Sequence, residues 1–418
     1  MITVTVLKNV EQNIDSHWQK TYRITMQISI VVGGRWHAFD LARQLHAAGV
    51  LHRLITNYPK FKTRQWGIPN DKVVSLPLTL LLDKAVHKVG GEHLMIKSQV
   101  LRHHLFAQAA ARYLEGSTLV HGWSSFSEPA LHWAKKNSVP FVLERSSSHM
   151  KVQCKLLREE YHQLGLNWVE AHPEIVAQEL REYELAERVA VPSLFVKRSF
   201  LAQKFPENRL VHNPFGTNLK SFSPDVQQDN VFRVIYAGSL SVRKGIHYLV
   251  QAFTEANIPN SELYLVGGAT IETPRLLAGV DERVKCFGHV SQAQLVNYYQ
   301  KSSVFVMASI EEGLACVQAQ ALACGLPLIC TTNTGGEDLL QMSGKASIQL
   351  DAGIEDYPAG YLVPVCNIGA IAACLKMLAQ DRNLLLSKRE AALSFRSSSL
   401  SWNSYAQRAI ELYKSLHS

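Results

Sequence analysis

The sequence predicts an α/β protein of two domains, each built on a parallel sheet. Three observations point there. Short β-branched runs alternate with longer amphipathic segments along nearly all of the 418 residues. Many of these runs are continuously apolar instead of alternating, as strands covered by helices on both faces must be. The alternation pauses once, over HNPFGTNLKSFSPDVQQDN, residues 212–230, a stretch rich in Pro, Asn, Gly, Ser and Asp that reads as a linker.

In chain order, the first half offers the strands ITMQISIVV, LHRLIT, TLVHG, PFVLE and RVAVPS. The second offers FRVIYAG, ELYLVGG, VKCFG, SVFVMAS and PLICT. Amphipathic segments such as AFDLARQLHAAG and QAQLVNYYQKS lie between them. Strands separated by helices imply right-handed βαβ units and hence parallel pairing. The expected divisions are 26–212 for the first domain and 213–399 for the second. Met26 opens a first strand cleanly, so residues 1–25 read as an extension or an alternative start. Residues 76–104 mix Leu with Lys, His and Arg. This is the pattern of a basic amphipathic helix resting on an anionic membrane, or of an ordinary packed helix with a basic outer face.

Composition narrows the function classes. No run of about 18 apolar residues is present, so a membrane-spanning helix is not expected. The first residues lack a basic start followed by an apolar run, so no secretory signal is read there. Seven scattered cysteines, without a Cys-x-x-Cys pair, read as free thiols of a reducing, cytoplasmic compartment and not as a zinc site. The net charge of +8 is compatible with anionic small substrates or an anionic membrane surface. Neither finger spacing nor an RNA-binding aromatic signature is found, and no nucleic-acid partner is expected.

Three constellations carry chemistry. Gly33 and Gly34 follow the first strand directly and precede a helix, whose N-terminus favours a phosphate. The series GGRWHAF is not a dinucleotide fingerprint, and a plain strand-to-helix turn explains it equally. Next, Gly238, Ser239 and the pair Arg243–Lys244 follow the first strand of the second half and precede the helix IHYLVQAF. Two cations at the carboxyl end of a parallel strand suit a diphosphate; the alternative is an exposed basic loop. The third runs from Ser309 to Leu340, SIEEGLACVQAQALACGLPLICTTNTGGEDLL. A strand delivers Glu311 and Glu312 to a loop, and Gly313, Leu314 and Ala315 lead into a helix bearing Gln320. Glu312 is placed to accept hydrogen bonds from sugar hydroxyls, and Gln320 to hydrogen-bond a ribose. Glu311 reads as a solvated loop acid.

This third segment closely resembles the signature of the large retaining glycosyltransferase family four, the glycosyl transferases group 1, which has the GT-B fold. Ser309, Glu312, Gly313, Ala321, Ala323, Gly325 and Pro327 fit its pattern. HNPFGTNLKSFSP, FGHVSQAQLVNYYQKSSVFVMAS and YELAERVAVPSLFVKRSFL resemble further family segments. The resemblance implies two Rossmann-like domains facing each other across a cleft, with the last helix, within 400–418, returning to the first domain. It implies that Lys244 binds the donor diphosphate, that Glu312 contacts the donor sugar, and that Gly34 lets the diphosphate approach. His121, in TLVHGW, resembles the family histidine near the reacting sugar, although a histidine in an apolar strand is commonly a core residue. Two positions depart from the pattern. The second glutamate of the family pair is Gln320, and the arginine after the first glycine of the second domain is Ser239, for which Arg243 is read as the replacement.

The implied reaction moves a sugar with retention from a nucleotide-diphosphate donor to a glycan, lipid-linked or small-molecule acceptor. No obligatory metal or other cofactor is expected. The acceptor would enter on the side of His121, Gly34 and the run Arg145–His149. The protein would be cytoplasmic, with peripheral contact at the inner membrane surface as a further expectation. Two other readings stay open: a non-catalytic nucleotide-sugar or glycan-binding protein, and a related enzyme that is not a transferase.

Overall fold

The computed structural model describes residues 26–168, 170–224, 229–346, 348–397 and 400–417. The segment 1–25, read above as an extension, lies outside the described residues. The chain forms two compact units. Of the described residues, one comprises those within 26–144, 171–190 and 406–417; the other comprises those within 145–170 and 191–405.

The first sheet uses β1 (Ile28–Val32), β2 (Leu51–Thr56), β3 (Val73–Ser75), β4 (Leu119–Trp123), β5 (Phe141–Glu144), β6 (Arg188–Val191) and β7 (Leu210–His212), in the order β3-β2-β1-β4-β5-β6-β7. Pairing from β3 through β6 is parallel. Every side chain of β1, β4 and β5 is buried, which is why these runs are apolar on both faces. In the β1–β4 register, His121 stands beside Ile30.

The second unit holds β8 (Phe232–Ala237), β9 (Ser261–Val266), β10 (Val284–Gly288), β11 (Val304–Met307), β12 (Leu328–Thr331), β13 (Ile348–Leu350), β14 (Ile354–Tyr357) and β15 (Gly360–Val363). Their order is β10-β9-β8-β11-β12-β15-β14-β13. The run from β10 to β15 is parallel, and β14 and β13 add an antiparallel edge. The order β10-β9-β8-β11-β12-β15 repeats β3-β2-β1-β4-β5-β6, so both units are doubly wound and Rossmann-like. In such sheets the strand order reverses beside the first strand, and ligands bind outside the carboxyl ends there. In the first unit that point lies between β1 and β4; in the second it lies between β8 and β11.

The units divide differently from the sequence reading. Residues 145–170 and 191–212, expected in the first domain, belong to the second unit. The physical reason is burial. Helix Met150–Gln163 packs Tyr161 with Val242 and Ile310, flanked by Leu156, Leu164 and Leu276. The linker is packed as well. Phe222 is fully buried against Tyr299, and Thr217 N–H donates to the Leu400 carbonyl at 2.9 Å. Residues 406–417 belong to the first unit, where the Tyr413 side chain is fully buried.

All seven cysteines are free thiols; Cys324, Cys330 and Cys374 are buried, and Cys286 and Cys366 are exposed. Among the described residues, no helix is long and apolar enough to cross a membrane.

Candidate active site

In the second unit, β8 runs into Gly238 and the exposed Ser239, whose carbonyl accepts the Tyr236 hydroxyl at 2.9 Å. The chain then turns through Arg243 and Lys244 to Gly245, which caps helix Ile246–Ala256 at φ 64. That left-handed conformation favours glycine, and a Cβ there would run into the Ala308 carbonyl oxygen. The close approach seats Lys244 beside the loop that leaves β11, where its ammonium pairs with the Glu312 carboxylate. Lys244 and Glu312 keep only 19% and 16% of their side chains exposed, so the pair is partly withdrawn from water. Burial and the neighbouring Arg243 pull the Lys244 ammonium down to about 7, against the opposing charge of Glu311.

Glu311 corrects the sequence reading. It is not a solvated loop acid but is fully buried. Its carboxylate accepts from Ser148 N–H at 2.9 Å, Ser148 Oγ at 2.7 Å and Gln153 Nε2 at 3.3 Å. Arg243 Nη2 pairs with it at 2.7 Å and also donates to Ser147 Oγ at 2.9 Å, while Arg243 Nε donates to the Glu311 carbonyl at 3.1 Å. Burial alone would raise the Glu311 carboxyl; Arg243 and the Ser148 hydrogen bonds outweigh it and hold the group below its ordinary value. Arg243 is therefore committed to Glu311, and Lys244 is the cation turned toward Glu312.

Gly313 follows at a second close approach, because a Cβ would meet the Ser146 carbonyl oxygen. Its own carbonyl accepts Ser193 Oγ at 2.7 Å. Buried Leu314 and half-buried Ala315 lead into helix Cys316–Ala323. Gln320 sits half-buried on that helix, and its amide has no hydrogen-bond partner among the described residues. The structure thus gathers Arg243, Lys244, Glu311, Glu312 and Gly313 at the carboxyl ends of β8 and β11. It also places Arg145–His149, read above as acceptor-side residues of the first domain, in the second unit.

In the first unit, Gly33 and Gly34 form a half-buried turn between β1 and helix Ala38–Ala47, and the Gly34 carbonyl accepts Thr56 Oγ1 at 3.0 Å. His121 is 1% exposed. Its Nδ1 lies 2.5 Å from the Tyr413 hydroxyl and its Nε2 lies 3.1 Å from Glu144 Oε2, the surroundings of a satisfied core histidine. His37 Nε2 stands 3.4 Å from the other Glu144 oxygen. Burial would raise the Glu144 carboxyl, but hydrogen bonds with His121 and His37 hold it down to about 2. Sequence reasoning missed His37 and Glu144. The available signal was the position of His37 just behind the glycine pair.

Residues 231–381 match the family described as Glycosyl transferases group 1. This part of the chain belongs to that family. The group 1 segment spans β8 to β15 and includes Lys244, Glu311 and Glu312. The chain is 29% identical over 150 residues to a GDP-mannose-dependent monoacylated alpha-(1-6)-phosphatidylinositol monomannoside mannosyltransferase of Corynebacterium glutamicum, covering 30% of this chain and 39% of that protein. Its matches span between about a third and a half of the length of such curated relatives. The fold extends further. Sucrose-phosphate synthase from Thermosynechococcus elongatus superposes with a TM-score of 0.68 at 20% identity, over 94% of this chain and 99% of that one. Anabaena Alr3699/HepE in complex with UDP-glucose does so with a TM-score of 0.63 at 16% identity, over 93% of this chain and 100% of that one. The group 1 segment is thus part of a GT-B chain.

Proposed function

We propose that the protein is a retaining glycosyltransferase that moves a sugar from a nucleotide-diphosphate donor to an acceptor. The observation that carries this reading is the Lys244–Glu312 pair at the switch point of the group 1 segment. A leaving diphosphate gathers negative charge, which Lys244 takes up together with the backbone N–H groups at the start of helix Ile246–Ala256. Glu312, released from Lys244 by the diphosphate, accepts the hydroxyls of the donor sugar. The bond from the anomeric carbon to the diphosphate oxygen breaks, a bond to the acceptor oxygen forms on the same face, and the acceptor hydroxyl proton passes to the departing diphosphate. In this proposal Lys244 fills the place of a metal ion.

The test is a panel of UDP- and GDP-sugars offered with lipid, glycan and small-molecule acceptors. Release of nucleoside diphosphate that depends on one donor is expected. Tight nucleotide binding without turnover of any donor would return the chain to the binding-protein reading.

A lipid-linked acceptor is favoured by one stretch of the first unit, residues 60–88. Phe61, Leu78 and Leu81 are each at least 60% exposed, and Lys60, Lys62, Arg64, Lys84 and Lys88 are exposed in the same stretch of chain. Apolar anchors among cations suit the surface of an anionic bilayer. The protein should sediment with phosphatidylglycerol vesicles and not with phosphatidylcholine vesicles, and Leu81→Glu should weaken that binding. Equal recovery with both vesicles would end the membrane reading.

A further inference from the structure

At the amino ends of the strands of the second sheet lies a cavity of about 360 Å³. It opens at the amino ends of β8 and β11, beside Phe232 and Ser303, whereas Lys244 and Glu312 follow the carboxyl ends of the same strands. Lys301, Arg382 and Arg389 line it together. Among the described residues none of the three has a carboxylate partner. The one acidic residue in the lining, Asp229, is already held by Arg233 through two hydrogen bonds of 2.7 Å.

Arg389 is the telling group. Its guanidinium carries five N–H donors, yet the structure supplies one acceptor, the Ser302 carbonyl at 3.1 Å from Nη1. Its burial penalises the charge with nothing nearby to offset it. Elsewhere in this chain, arginines drawn toward the interior meet acids, as Arg243 meets Glu311 and Arg102 meets Asp83. Three cations around one cavity, whose one lining carboxylate is already paired with Arg233, repel one another unless an anion enters. Guanidinium forks match the oxygens of phosphate in pairs. Leu378, Leu385 and Leu386 form an apolar part of the same wall, and Leu386 is 44% exposed.

We propose that this cavity is an anion site, separate from the sugar-nucleotide site, that binds a small phosphate-bearing ligand. The phosphate sits among Arg389, Arg382 and Lys301, and the remainder of the ligand covers the leucine wall. The proposal does not depend on the glycosyltransferase reading.

Calorimetric titration of the full chain with inorganic phosphate and with phenyl phosphate tests it. Lys244→Ala silences the other anion-binding loop, so saturable phosphate binding should persist in that variant. Arg389→Gln should weaken it about tenfold, the loss of one charge-assisted contact. Arg382→Ala removes an exposed side chain without a partner, so it keeps the fold and should weaken binding severalfold. Phenyl phosphate should bind more tightly than inorganic phosphate, and Leu386→Glu should erase that preference. Binding that vanishes in Lys244→Ala, or that is unchanged in both arginine variants, would overturn the proposal.

Discussion

Lys244→Ala is expected to lower kcat by at least about a hundredfold, the usual cost of removing one preorganised donor from a developing negative charge. The size of the effect follows from the lack of a substitute. Arg243 stands next in sequence, but its guanidinium is spent on Glu311 and Ser147. Swinging it toward a diphosphate would strand a fully buried carboxylate. Because Lys244 is only 19% exposed and its loss leaves Glu312 without that partner, denaturant unfolding of the variant accompanies the kinetics, and a kcat loss in a folded variant is the expected result. A companion measurement reads the charge directly. In the empty protein the Lys244 ammonium is drawn down to about 7. A nucleoside diphosphate binds the charged form. Above pH 7 the protein must therefore take up a proton to bind, and affinity should fall about tenfold per pH unit. Below pH 7 the lysine is already charged, and this dependence ends. Titrating nucleoside diphosphate from pH 7 to 9 measures it. Lys244→Arg, charged throughout, should flatten the profile. Unimpaired turnover in Lys244→Ala would remove the lysine from the mechanism.

Glu311→Ala is expected to destabilise the second unit by about 3 kcal/mol, the lower end for removing one partner of a buried ion pair. The lower end applies because Arg243 keeps 33% of its side chain exposed and can turn partly to water. Two Ser148 donors and the Gln153 amide lose their acceptor as well. Glu311→Gln preserves the shape and one acceptor oxygen, so it should cost less. Denaturant unfolding compares the three proteins, and a wild-type midpoint in Glu311→Ala would refute the structural role. The pH dependence has a definite sign. The folded carboxyl titrates below its ordinary value of 4.5, so its contribution is complete above about that pH and is lost as the pH falls through the depressed value. In Glu311→Gln that acid-side component should be absent.

Much of this protein was legible one segment at a time. Continuously apolar runs identified β1, β4, β5, β8 and β11, because a parallel strand covered on both faces tolerates no polar alternation. The glycines and cations behind those strands marked the loops of both switch points. Lys244 and Glu312 were singled out because each lies in the loop behind such a strand and fits the signature that the sequence resembles. The strands β3, β7 and β13 to β15 were not; β3, β7 and β13 have only three residues, too few to carry a usable period.

Other features had no local signal at all. Glu311 was read as a solvated acid because its partners Ser148 and Gln153 lie 163 and 158 residues away. The chain from His37 through Glu144 and His121 to Tyr413 joins residues up to 292 apart in sequence at its last link. Helix Met150–Gln163 is amphipathic on any reading, but amphipathicity states only that one face is buried. It does not say which of two similar cores receives that face. By itself, the sequence determined the two doubly wound units, the strands that close their switch points, and the lysine and glutamate that follow those strands. Only the tertiary structure decided which acid is buried, which cation is committed to it, where helix Met150–Gln163 docks, and that three cations face one cavity. Those outcomes depend on charges and surfaces meeting across distant parts of the chain, and periodicity carries no record of such meetings.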